Sequence, residues 1–179
     1  MITKLYWAFW MATALLNGIL AGYMVSHSIM LGRFFNWYIE SGNEDLLHRT
    51  YTVFRASNDA YKIYDIPLGL HLVVGGIWVV LALIAKRERV LAVLGGLSTY
   101  WISAIFLVTG LGTVEDAVLT GTADAAATQR YLALNLPIHT TFAVIYGTSL
   151  LLMLLVPLRG SSRASIGSGQ DAVVAASRA

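Results

Sequence analysis

The sequence predicts an all-α integral membrane protein, a bundle of four helices with both termini in the cytoplasm. Three observations carry that expectation. There is too little charge to cover a water-facing surface, there are four apolar stretches of membrane-spanning length, and charge divides unevenly between the connections. Only 12% of the 179 residues are charged and 57% are hydrophobic, against roughly 25% charged in a soluble domain. Mean hydropathy is +0.67, so lipid must cover much of the surface. The net charge of +2 is small and unclustered, which argues against a nucleic-acid partner. Cysteine is absent, which removes disulfides, thiolate metal sites and thiol redox chemistry. Histidine, carboxylate, amide and hydroxyl groups are left to do any chemistry.

The expected spans are 5–31, between Lys4 and Arg33; 66–85, between Asp65 and Lys86; 90–114, between Arg89 and Glu115; and 132–156, between Arg130 and Arg159. Each reaches the roughly 20 apolar residues a helical crossing needs. Inside hydrocarbon the backbone must satisfy its own hydrogen bonds, which makes these segments helical. The first is too long for a signal-peptide core and lacks a small-residue cleavage site, so it reads as a retained helix. Gly18, Gly22, Gly75, Gly76, Gly95, Gly96 and Gly110 suit close helix–helix contacts.

Basic residues favour the cytoplasmic side. The short connection 86–89 carries Lys86, Arg87 and Arg89, and the tail opens with Arg159 and Arg163. The two long connections hold eight carboxylates, from Glu40 to Asp124, against five basic residues. That bias places the long connections outside, in a multi-pass protein of the cell membrane. Aromatic clusters at Tyr6, Trp7 and Trp10, and at Phe34, Phe35, Trp37 and Tyr38, mark the two interfaces. Ser41-Gly42-Asn43-Glu44 has capping-box form, and Leu47, Tyr51, Phe54, Asn58 and Tyr61 follow at helical spacing. This predicts a helix over 43–64 on the outer surface. The tail, 159–179, is rich in Ser, Gly and Ala and is expected to be disordered.

Ionisable groups within membrane spans are costly and default to functional candidates. His27 ends the first span, His71 lies about one and a half turns into the second, and His139 roughly two turns into the fourth. The topology brings all three to one depth, in the outer half. Asn135 shares a helix face with His139 at i, i−4. Arg33, Asp65, Thr109, Glu115 and Asp116 ring the same level, while Tyr100, Trp101 and Trp78 are candidate walls for a flat lipophilic ligand. Imidazoles at matched depth suit general acid/base catalysis, a metal site or axial ligation of haem. Taken singly, each equally suits a hydrogen bond to a neighbouring helix. No HExxH-type spacing occurs, so no firm metal site is expected; if one exists, His27, His71 and His139 are its ligands. His48 reads as a solvated loop residue and Asn17 as an interhelical tie. Pro137, beside Asn135 and His139, predicts a local irregularity.

The stretch Asn135-Leu136-Pro137-Ile138-His139 resembles an Asn-x-Pro-x-Asn signature, with His139 at the place of the second Asn. That signature belongs to small four-helix membrane proteins related to anthrone oxygenases, most of which have no assigned function. The glycine-rich segment from Leu16 to Gly22 and the polar-aromatic outer loop are similar too, and the likeness covers the layout from about residue 5 to 158. The resemblance implies cofactor-independent oxygenation of a lipophilic aromatic small molecule. In it His139, Asn135, His71 and His27 are the catalytic candidates, and Arg33, Asp65, Tyr100 and Trp101 the substrate-binding ones. Two alternatives stay open. One is a redox subunit in which two of the three histidines hold haem b. The other is a non-catalytic subunit of a homo-oligomer or larger membrane complex. A pore is disfavoured, because no span carries a run of charge.

Overall fold

The computed structural model describes residues 2–59 and 62–176, with side chains described through residue 159. Among these residues there is no strand. Helix α1 (Ile2–Ser26) passes through one π-helical turn, His27–Leu31, into α2 (Gly32–Glu40). The outer connection forms α3 (Glu44–Leu47), a second π-helical turn (His48–Thr52) and α4 (Val53–Ser57). There follow α5 (Lys62–Ile84), α6 (Arg89–Gly96), α7 (Ser98–Thr109), α8 (Leu111–Thr120) and α9 (Ala125–Ala176). Three runs, Ile2–Glu40, Lys62–Ile84 and Ala125–Arg159, are long and apolar enough to cross a membrane. A fourth exists if α6 and α7, bent by 44° across their break, count as one.

The outer surface is far more apolar than that of a water-soluble protein. Leu107 and Val108 are 78% and 87% exposed, as are whole faces bearing Met11, Leu15 and Leu151, while Asn17, His71, Thr99 and Asn135 are fully buried. Apolar side chains turned outward over so much of the surface are stable only where hydrocarbon replaces water. The composition therefore has a structural counterpart, and the chain is a membrane protein. Helix α1 packs on α9 and α5, and α9 also takes α6, α7 and α8. One apolar cluster lies at the turn end of the bundle, around Tyr6, Trp78, Leu91, Met153 and Val156. A larger one runs from Leu20 and Tyr146 up to Phe35, Leu47, Val118 and Tyr131. Its upper part makes a cap from α2, α3, the second π-helical turn and α8. The first helical run is 39 residues, about 58 Å at ~1.5 Å per residue, nearly twice a ~30 Å hydrocarbon layer. Part of it must stand clear of the apolar layer and build that cap.

Several local expectations are corrected. The predicted third span, 90–114, is three helices. The Gly95-Gly96 pair has poor helix propensity, and the helix breaks at Leu97. Side chains from other helices take the carbonyls near the break: Asn17 Nδ2 donates to Gly95 O (3.2 Å) and Ser149 Oγ to Leu94 O (3.2 Å). A broken helix is tolerated at this depth only when protein groups re-satisfy its backbone. The chain turns again at Gly110, whose φ of +64° favours glycine. The capping box does not form. Instead Gly42, at φ +71°, closes α2: its N–H donates to Ile39 O (3.1 Å) and that of Asn43 to Tyr38 O (2.9 Å), a Schellman ending. Ser41 thus ends a helix, and Asn43 begins the next without a side-chain cap. The outer helix stops at Ser57 rather than 64, and Tyr61 lies outside the described residues. Pro137 sits inside an uninterrupted α9. The tail expected to be disordered falls on 160–179, whose side chains lie outside the described residues, while the α9 backbone is traced to Ala176.

The seven glycines divide. A Cβ on Gly75 would collide with Gly96 O, and one on Gly96 would meet Val79 Cγ2 at 2.8 Å and Gly75 O at 3.1 Å. Gly95 and Gly76 face Met153 and the Tyr100 hydroxyl just as closely. Gly22 has open space and Gly18 ordinary contact at 3.8 Å. Among these seven, close approach is therefore confined to the α5–α6 crossing and its neighbours.

Candidate functional site

His27 and His139 come together. Their rings stack with centroids 3.7 Å apart and planes 20° from parallel, and both are more than nine-tenths buried. The π-helical turn places His27. It is closed by the Gly32 N–H reaching back five residues to His27 O, which brings the Gly32 backbone over the imidazole. A Cβ at Gly32 would stand 2.8 Å from His27 Cδ2 and 2.9 Å from Nε2, so only glycine leaves room for the ring. Insertions of this kind recur at functional sites.

Asn135 fixes both rings. Its Nδ2 donates to Gly32 O (3.2 Å) and to Asn36 Oδ1 (2.8 Å), which sets the orientation of the amide, since the Gly32 carbonyl only accepts. Oδ1 then accepts from His27 Nε2–H (3.0 Å). One turn on, His139 Nδ1–H donates to the Asn135 backbone carbonyl (2.8 Å). Each neutral imidazole is thereby held as a single tautomer, with a bare nitrogen: Nδ1 on His27 and Nε2 on His139.

The pair lines a cavity of about 470 Å³. Met24, Leu31, Phe35 and Phe106 supply apolar wall, Tyr51 and Tyr64 aromatic wall, and Arg55, Asp65, Glu115 and Asp116 the charged lining. A mostly apolar pocket with a few convergent polar groups is the usual form of a small-molecule site. The cap forms part of its wall: Tyr51 packs edge-on against Phe35, centroids 4.5 Å apart. His48, expected to be solvated, is half-buried and donates from Nε2 to Val118 O (2.7 Å). Thr52 Oγ–H donates to Leu119 O (2.5 Å) beside it. Glu115 lies on α8 beyond the apolar segment. Burial pushes its carboxyl above the ordinary value; the Arg55 guanidinium pulls it back part of the way, and Asp116 adds to the rise. A carboxyl raised in the folded state binds its proton more tightly there than in the unfolded chain. Stability is therefore full below the unfolded value and is lost as pH rises through the folded one. Glu115→Gln removes that loss, so its melting temperature in detergent should exceed that of wild type at pH 8 and match it near pH 4. A wild-type advantage at pH 8 would refute the account.

The other candidates lie elsewhere. His71 does not join the pair, although its depth suggested that it would. Both its nitrogens are taken in a buried chain linking the helices: Tyr146 O–H donates to Thr99 Oγ1 (2.9 Å) and Thr99 to His71 Nδ1 (2.9 Å). At the other end His71 Nε2 faces Ser98 Oγ (3.5 Å), which donates to Asn17 Oδ1 (2.8 Å). Every donor in that chain has an acceptor, which is what satisfied buried polar groups require; its role is to tie helices, as expected of Asn17. Tyr100 and Trp101 are 45% and 51% exposed on the outer face of α7, where Tyr100 donates to Leu72 O (2.9 Å). Arg33 is exposed and bonds Ser28 O (3.3 Å). Of the four substrate-binding candidates only Asp65 lines the cavity.

Among the described residues no three His, Cys, Asp or Glu side chains converge as metal ligands. Bis-histidine haem does not fit either. A porphyrin must lie between its two axial imidazoles, and rings stacked at 3.7 Å leave no gap for it, while His71 has no nitrogen to give. Sequence reasoning missed Arg55, Phe35, Phe106, Tyr51 and Tyr64 as lining, and Gly32 and Asn36 as supports. Spacing from His27 does not reveal Gly32 or Asn36, because the π-helical turn shifts the register between them. Scanned against protein-family models, and searched against curated proteins and solved structures, the chain matches none.

Proposed function

We propose that the chain is a multi-pass protein of the cell membrane with four spans, the bent α6–α7 pair being the third. Both termini are cytoplasmic, and the stacked histidines sit in the outer half of a four-helix bundle. The basic 86–89 turn and the acidic long connections support this orientation. The cavity binds a lipophilic aromatic small molecule arriving from the lipid, and His139 acts on it as a general base. In the anthrone-oxygenase-like form of this reading, His139 Nε2 takes a proton from an activated methylene. The carbanion left behind is oxidised by O2, the CH2 becoming a carbonyl with water as the second product. One observation carries the reading: a neutral imidazole, held as one tautomer and keeping a bare nitrogen, lines an aromatic-walled cavity. The base needs that lone pair, and the aromatic lining needs a flat partner.

The test is oxygen uptake and product absorbance with 1,8-dihydroxyanthrone as probe, comparing wild-type protein with His139→Ala in detergent. Positioned general bases contribute roughly 10²–10⁴-fold, so the variant should lose at least about a hundredfold of the protein-dependent rate. A variant that keeps the wild-type rate removes the reading.

A further inference from the structure

The cavity holds a second proton-handling group that the base mechanism leaves unused. Glu115, on α8, lines the same space as His139, on α9. We infer that Glu115 is a catalytic acid, donating its proton to a ligand carbonyl while His139 removes a proton from a methylene conjugated to that carbonyl through an aromatic ring, so that the site enolises aryl ketones without any oxidant.

The step balances on its own. The C–H bond breaks towards His139 Nε2, the electron pair shifts through the carbon framework to the carbonyl oxygen, and the Glu115 proton forms the new O–H bond. Nothing is oxidised or reduced, and the reverse step returns a proton to carbon. Two features of the structure suit the groups to opposite roles. His139 keeps a bare acceptor because its donor is committed to Asn135 O. Glu115 is half-buried against the cap, in surroundings that favour the protonated carboxyl. A base and an acid whose environments separate their proton affinities are the usual division of labour in enolising sites. Arg55, also in the cavity lining, keeps the carboxyl from being held too firmly protonated to give up its proton. The ligand class follows: a flat ketone with a methylene made acidic by flanking rings that conjugate it to the carbonyl.

This inference rests on His139 being the base, and the experiment separates the two. Exchange of the methylene hydrogens of 1,8-dihydroxyanthrone for deuterium is followed by NMR in D2O, strictly without oxygen, using full-length protein in detergent and subtracting the protein-free rate. Wild type should accelerate exchange, and Glu115→Gln should lower the protein-dependent rate by about a hundredfold, with Glu115→Asp recovering part of it. Glu115→Gln keeps the shape of the neutral carboxyl and should fold, which its melting curve verifies. Exchange in Glu115→Gln at the wild-type rate, with His139→Ala inactive, overturns the acid role and leaves the base reading standing. A wild-type protein that gives no exchange above background overturns both.

Discussion

Asn135→Leu should cost on the order of 3 kcal/mol of stability and release His27 from its single tautomer while leaving that of His139 in place. The side chain is fully buried and makes three hydrogen bonds, to His27, Gly32 and Asn36. Leucine matches its size but leaves the buried His27 N–H and the Asn36 amide oxygen without that partner, and takes one hydrogen bond from the Gly32 carbonyl. Each orphaned group costs ~1–3 kcal/mol in a soluble core. Polar ties between membrane helices average nearer ~0.6 kcal/mol, so the estimate lies between the two sums. The split between the histidines follows from which atom of Asn135 each one uses. His27 bonds the side-chain oxygen and loses it; His139 bonds the backbone carbonyl, which the substitution leaves untouched. Nitrogen-15 spectra of histidine-labelled protein read this directly. Wild type should show one Nε2–H ring and one Nδ1–H ring from the pair, and the variant should average the first only. Loss of both signatures, or of neither, would show that the amide is not what orders the pair.

Most of the fold was legible because hydrocarbon imposes a coarse rule that composition obeys. Stretches of adequate length between charges mark the helices, and all four predicted segments are helical. The legible part of the site was the pairing of Asn135 with His139, since i, i+4 spacing on a continuous helix is a geometric certainty. Depth alone was a weaker guide. It put His71 beside the other two histidines, but depth says nothing of which way a side chain turns about its helix, and His71 turns to Ser98 and Thr99. Rotation about the axis also put Tyr100 and Trp101 on the outward face. The break at Leu97 and the π-helical turn at His27–Leu31 were not legible, because both depend on side chains from other helices. The carbonyls near the break accept from Asn17 and Ser149, and the His27 ring is held by Asn135. The way the outer connection folds over the pocket likewise escapes: spacing predicts a helix over 43–64, but not that its π-helical turn and α4 bring Tyr51 and Arg55 to the cavity beside Glu115.

Gly75→Ala should be the most disruptive single-methyl addition in the bundle, while the same change at Gly22 should be neutral or mildly stabilising. A methyl at 75 would overlap the carbonyl oxygen of Gly96 and stand 3.2 Å from His71 Cε1. Backbone cannot swing aside as a side chain can, so α5 and α6 must separate. Overpacking a tight core costs about 1–3 kcal/mol, and here separation also moves His71 away from Ser98 and Thr99, loosening a chain of hydrogen bonds that reaches Asn17 and Tyr146. The expected loss is therefore at or above ~3 kcal/mol. Gly95→Ala makes an instructive contrast, since its nearest obstruction is Met153 Cγ at 2.6 Å, part of a flexible side chain that can yield. At Gly22 nothing lies within 4 Å, and alanine gains up to ~1 kcal/mol of helix propensity over glycine. Thermal unfolding in detergent of the three variants should therefore rank Gly75→Ala below Gly95→Ala below Gly22→Ala. If Gly75→Ala melts with Gly22→Ala, the α5–α6 contact is not the close backbone crossing described, and the break at Leu97 needs another cause.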